Sequence, residues 1–205
     1  LTLGGALASM ASPVLMAGST QGEFNKLAVK SLPVFGWLIV GESTESSVRP
    51  ALQLTLNSGM GAIFNEGESE ITQGGSLLSL SQVGGPGIEG EDGLRLLSMA
   101  FGRDRKLAWV SWMVERGVRD ARVEPLIKRM IARYGSQATP ITVADTRGEA
   151  TDFYVLFDIG RFIVEVAVPQ HGTFATVLFC TRAIYDTLKR EEGTADLLLA
   201  KLSTN

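Results

Sequence analysis

The apolar positions of this chain change period along its length. From Val123 to Tyr134 they fall at Val123, Leu126, Ile127, Met130, Ile131 and Tyr134, one face of a 3.6-residue repeat. This predicts a helix starting near Pro125 and ending at Gly135. Just upstream, Leu107, Val110 and Val114 share helical spacing, and Trp109, Trp112 and Met113 widen the apolar surface. Arg105 to Arg116 is therefore expected as a second helix, stopped by Gly117. Gly93 to Phe101, GLRLLSMAF, is expected to be helical as well.

Beyond Gly135 the period shortens. Ala138 to Ala144, Asp152 to Ile159, Arg161 to Val168 and Thr173 to Cys180 are rich in β-branched and aromatic residues and predict four strands. The connectors DTRGEAT, Gly160 and PQHG are too short for crossover helices, so the strands should form an antiparallel meander. Phe162, Val164, Val166 and Val168 oppose Ile163 and Ala167; a sheet apolar on both sides needs both faces covered. Thr181 to Leu202 is expected to close the chain as a helix broken at Gly193.

Before Gly93 the signals are shorter. Thr20 to Leu32 has helical spacing ended by Pro33. Pro33 to Gly41, PVFGWLIVG, predicts a buried strand holding Trp37. Ala51 to Asn57, ALQLTLN, alternates like a half-buried strand. Gly61 to Phe64 and Glu70 to Gln73 predict a hairpin around NEGES, and Ser76 to Val83 one more strand.

The expected fold class is α+β: a β-rich N-terminal part (33–83), a central helical pair (93–135), and a C-terminal antiparallel meander with a terminal helix (138–202). One domain over 1–205 is expected. Residues 1–19 are small and apolar, but lack the initial Met and basic region of a signal peptide. They predict an arm that packs on a neighbour, or the internal start of a longer chain.

Composition sets the class: 45% hydrophobic and 20% charged residues are those of a globular protein. No run reaches the roughly 20 apolar residues of a membrane span. A net charge of −3 argues against a nucleic-acid or membrane-surface protein held by overall charge. A single cysteine, Cys180, leaves no intrachain disulfide and weakly favours a reducing, intracellular setting.

Charge is nevertheless segregated. Gly102 to Gly135 holds nine basic and four acidic residues, whereas Gly41 to Asp92 holds eight acids against Arg49 alone. Arg122, Lys128, Arg129 and Arg133 fall off the apolar helical face and are candidates for contacting a partner or nucleic acid. Trp109 and Trp112 are candidates for core packing or for stacking on bases.

Chemistry-bearing patterns are sparse. Gly85, Gly87 and Gly90 fit G-x-G-x-x-G, the backbone spacing that admits a pyrophosphate. Glu89, Glu91 and Asp92 crowd the following segment and would repel one, and no acidic strand end follows at the ribose position. The only histidine, His171, lies in an expected hairpin tip, unsuited to a preorganised triad. Among Asp145, Glu149, Asp152, Asp158 and Glu165, Glu165 interrupts an apolar strand and is expected to pair with Arg161 or Arg147. No cofactor or metal ligand set is expected.

The run ATPITVADTRG, Ala138 to Gly148, followed by short strands and a terminal helix, resembles part of the matrix proteins of animal rhabdoviruses. The likeness covers those 11 residues. The chain lacks that family's basic character and proline-rich late-domain motif. The resemblance implies an assembly role and carries over no residue role.

Three functions follow as expectations. The first is a self-associating, non-enzymatic assembly protein of coat, nucleocapsid, matrix or scaffold type, a homo-oligomer. The second is a nucleic-acid-binding module using the basic helical face. The third is a nucleotide- or small-molecule-binding enzyme using the glycine loop. A transmembrane protein is not expected.

Overall fold

In a computed structural model, which describes residues 29–57, 62–81, 93–145 and 152–190, strand pairing claims most of the apolar sequence. β1 (Leu32–Phe35) and β2 (Leu38–Val40) form a hairpin, followed by α1 (Glu45–Asn57). Then come β3 (Ala62–Ser69), β4 (Gly75–Ser81), β5 (Leu94–Phe101) and β6 (Leu107–Glu115). A 3-10 turn, Val118–Asp120, leads into α2 (Val123–Tyr134). β7 (Ile141–Asp145), β8 (Asp152–Ile159), β9 (Phe162–Val168) and β10 (Phe174–Thr181) complete the strands, and α3 occupies residues 182–190.

Strands β3 to β10 make one antiparallel sheet in the order β3-β4-β5-β6-β10-β9-β8-β7. It is two four-stranded meanders, β3 to β6 and β7 to β10, joined where β10 pairs with β6. The α+β class, the antiparallel C-terminal meander and the terminal helix agree with the sequence reading.

Register explains the core. Leu80, Leu97, Trp112, Val177, Val166 and Val155 lie side by side across six strands, each at most 2% exposed. The next inward row runs Leu78, Met99, Val110, Phe179, Val164 and Phe157. This face is covered by the β1–β2 hairpin, by α1 through Val48 and Leu52, and by α2 through Leu126, Met130 and Tyr134. Trp112 stacks on Phe35, ring centroids 4.9 Å apart, and meets Phe179 at 4.6 Å. Burying an aromatic ring of this size contributes about 4–6 kcal/mol of transfer free energy. Polar links fix the cover: the Tyr134 hydroxyl donates to Pro33 O at 2.6 Å and Arg133 Nη1 to Val34 O at 2.7 Å.

Several local expectations are corrected. Gly93 to Phe101 and Arg105 to Arg116 are not helices but contain β5 and β6, so the central helical pair reduces to α2. The i, i+3, i+7 match of Leu107, Val110 and Val114 coexists with an alternation that strands can use. Val110, Trp112 and Val114 point inward, and Trp109, Ser111 and Met113 lie half-buried on the other face. Conversely, the alternating ALQLTLN is helical: α1 buries Val48 and Leu52, four residues apart, with Pro50 inside it.

Pro33 to Gly41 is a hairpin rather than one strand. NEGES lies within β3, and the turn falls at 70–74. Of the helix expected over 20–32, residues 29–31 are irregular and Leu32 opens β1, with 20–28 outside the described residues. The arm at 1–19, the glycine motif at 85–90 and the tail from 191 also lie outside them.

Candidate functional site

Three places gather polar chemistry. The first is the basic segment. Arg122 Nη1 lies 3.4 Å from Glu115, and Lys128 Nζ 2.7 Å from Glu124 one turn earlier on α2. Arg133 is spent on Val34 O, and Arg129 is half-buried. Glu115 also pairs with Arg95, and the hydrogen bonds from Arg95 hold its carboxyl below the usual range. Arg116, only 11% exposed at its side chain, pairs with Asp120 and donates to Pro169 O and Gly172 O, tying the β9–β10 turn to the end of β6. Much of this positive charge therefore serves the chain's own structure. Of the candidate stacking residues, Trp112 is core, and Trp109 is half-buried on the outer face.

The second place is the outer face of the sheet, under α3. One row there reads Ser79, Ser98, Ser111, Leu178, Glu165, Leu156 and Ile141. Glu165 is 8% exposed; its Oε2 accepts from the Tyr185 hydroxyl at 2.6 Å and lies 3.6 Å from Lys189 Nζ. Lys189 sits over the rings of Tyr154 and Tyr185, 5.7 and 5.4 Å from their centroids. Among the described residues Glu165 is thus met by groups from α3 and not by the expected Arg161, while the other expected partner, Arg147, lies outside the described residues. Beside this cluster, burial first, and then the Glu165 and Asp186 charges, push the Cys180 thiol up to about 12. A thiol held neutral in this way is a small apolar side chain, not a nucleophile.

Of the other candidate acids, Asp158 and Asp152 serve the structure, and the Asp145 side chain and Glu149 lie outside the described residues. Asp158 pairs with Arg182 and caps Gly160 N at 3.0 Å, and Asp152 accepts from Gln170 N at 3.1 Å. His171 is exposed in the turn between β9 and β10. Among the described residues no group of three or more His, Cys, Asp or Glu side chains is placed to hold a metal ion. Among them, too, no helix is long and apolar enough to cross a membrane.

The third place is a cleft of about 840 Å³ at one end of the sheet, between the start of α1, the β3–β4 turn and the β5–β6 turn. Arg49, Arg103 and Arg105 line it, with Glu45 and Asp104. Glu45 is engaged: Ser76 Oγ donates to its Oε2 at 2.7 Å and Arg49 Nε to its Oε1 at 3.0 Å. These bonds, Ser76 first, hold its carboxyl below the usual range. Arg49 also reaches Glu66 on β3. Asp104 Oδ1 accepts from Lys106 N at 3.0 Å. Sequence reasoning missed this cleft because its parts lie far apart in the chain. The R-D-R triplet between two apolar runs was the available signal.

Compared with models of known protein families, with curated proteins and with solved structures, the chain has no match in any of the three.

Proposed function

We propose that this chain is a structural protein that self-associates through the β7 edge of its sheet, which no further strand pairs among the described residues. One observation carries the reading: the two edges are unlike. β3 has the features that blunt an edge, namely a register shift between Ile63 and Asn65, a glycine at 67, and the exposed acids Glu66 and Glu68. β7 has an unbroken register against β8 and a sequence, ITVAD, with no charge before Asp145. Ile141 on it is 51% exposed. An edge of this kind offers backbone donors and acceptors to a further strand.

Self-pairing of β7 about Val143 would set Ile141 opposite Asp145 and Thr142 opposite Ala144, with no like charges facing. Light scattering at low and high salt tests the reading. The wild-type chain is expected to exceed one protomer, and a double substitution, Ile141→Lys with Thr142→Lys, to return it to one. A wild-type chain that stays strictly monomeric at high micromolar concentration in low salt would sink the proposal.

Nucleic-acid binding through Arg122, Lys128, Arg129 and Arg133 is the weaker reading, because Arg122, Lys128 and Arg133 are engaged by Glu115, Glu124 and Val34 O. Its signature would be affinity that falls steeply with salt and drops on charge reversal at Lys128 and Arg129.

A further inference from the structure

We propose that the cleft between the β3–β4 and β5–β6 turns binds a small phosphomonoester, its phosphate held by Arg103 and Arg105. The inference is independent of self-association at β7.

The β5–β6 turn is built to aim cations into the cleft. Arg105 N donates to Gly102 O at 2.8 Å and Gly102 N to Lys106 O at 2.8 Å, which closes the turn. The closure puts Arg105 at φ +62, a left-handed position that glycine or asparagine fills with least strain and that a long side chain occupies at a cost. Outliers of this kind concentrate where the structure over-determines a functional group. No side-chain hydrogen bond or ion pair engages Arg105 among the described residues, although it lines the cleft near enough to Glu45 to favour its charged form.

Arg103 is set differently. Its Nε donates to Gln73 O at 2.7 Å, which fixes the guanidinium plane. Its Nη groups remain as a fork for two oxygens of one anion. Gly74, at φ +102, packs against that plane: a Cβ there would stand in ordinary contact, 3.4 Å from Arg103 Nε and 3.5 Å from Glu68 Oε1.

Three acids around the cleft are engaged, and a fourth, Glu68, stands on the same side of Gly74 as the Arg103 guanidinium. Glu45 is held by Ser76 and Arg49, Asp104 by Lys106 N, and Glu66 by Arg49. Arg103 and Arg105 are the lining cations that no carboxylate holds within salt-bridge distance among the described residues. A bare phosphate ion fills a small part of 840 Å³, a volume within the range of small-molecule sites. The remaining space, with the Thr44 and Ser46 hydroxyls on its wall, suits a polar body attached to the phosphate.

Inorganic phosphate and glycerol 3-phosphate, titrated separately into the full chain with chloride at matched ionic strength as blank, test this. Backbone amide shifts at Arg103, Arg105 and Lys106 give the binding curve, and the melting temperature gives stability. Both phosphates should bind, the ester several-fold more tightly. Arg103→Ala should weaken binding at least tenfold. Arg105→Gly should abolish it while raising the melting temperature without ligand, because the left-handed residue becomes glycine. Shifts reproduced by chloride, or unchanged binding in both variants, would overturn the site. Equal affinity for the two phosphates would overturn the ester and point to free phosphate instead.

Discussion

Replacing Tyr185 with Phe should loosen α3 from the sheet, and the single cysteine provides the means to see it. The Tyr185 hydroxyl donates to Glu165 Oε2 at 2.6 Å, and Glu165 is 8% exposed. A hydrogen bond to a charged acceptor contributes about 1.5–3 kcal/mol. The second partner, Lys189, stands 3.6 Å away with 39% of its side chain exposed, so its pairing adds about 0–1 kcal/mol. Tyr185→Phe therefore removes most of what the cluster supplies, and it leaves a buried carboxylate with one donor fewer.

Cys180 is fully buried beside Tyr185 and Asp186, with its thiol held neutral, so a thiol reagent at neutral pH reaches it only when the helix lifts. With one tenfold step per roughly 1.4 kcal/mol, Tyr185→Phe should label about 10- to 100-fold faster than wild type. Glu165→Gln, which keeps an acceptor but loses the charge, should fall between. The double variant should be less than additive by about 1 kcal/mol. If Tyr185→Phe labels within twofold of wild type, the bond does not hold the helix and the argument fails.

Two further outcomes follow from the same structure. The Cys180 thiol is raised from 9.0 to about 12, so between those values the unfolded chain has released a proton that the folded chain retains. Stability should then fall as pH rises above about 9, by up to ~1.4 kcal/mol per pH unit from this group. Cys180→Ala should flatten that slope in urea titrations at pH 9 to 11, and identical slopes would contradict the assignment. Trp112→Ala should cost about 3–5 kcal/mol through the cavity it leaves. Trp112→Phe should cost far less, because the buried Nε1 of Trp112 has no hydrogen-bond partner among the described residues and its removal relieves a desolvation cost of about 1–3 kcal/mol. Urea midpoints for the two variants distinguish these.

How legible the fold was in the sequence depended on how many reasons each segment had to adopt one structure. α2 combined an unbroken helical repeat, a proline near its start and a glycine after its end, and it forms within two residues of the expected bounds. The strands from Asp152 onward combined β-branched content with connectors too short for anything but hairpins. β5 and β6 had neither advantage. Leu, Met, Ala and Trp suit both states, and both faces of these strands meet apolar neighbours, so no alternation of polar and apolar positions marked them. Their identity comes from partners: β6 is a strand because β5 and β10 present matching backbone on either side.

α1 erred in the opposite sense. Leu52, Leu54 and Leu56 alternate, but the burial that decides the matter joins Val48 to Leu52 across one turn. The candidate sites divide likewise. The bias of the basic segment was visible, but its uses were not, since Val34, Glu115 and Glu124 absorb its charges. Arg103 and Arg105 gained significance only once the turn had brought them beside α1.

The seam between β6 and β10 also sets the order in which the chain is expected to fold. Every other pairing in the large sheet joins strands adjacent in sequence, so each meander can zip from its own turns with little loop entropy to overcome. The β6–β10 ladder, Glu115 against Phe174 through Trp109 against Cys180, must wait for both halves. It lies under the cluster of Phe35, Trp112, Phe179 and Tyr134, whose rings come from both halves of the chain. Closing the seam and completing the core are one event. A chain cut between α2 and β7 would yield two pieces, each with a full meander, the first carrying Phe35, Trp112 and Tyr134 and the second Phe179, that gain a finished interior only in each other's company.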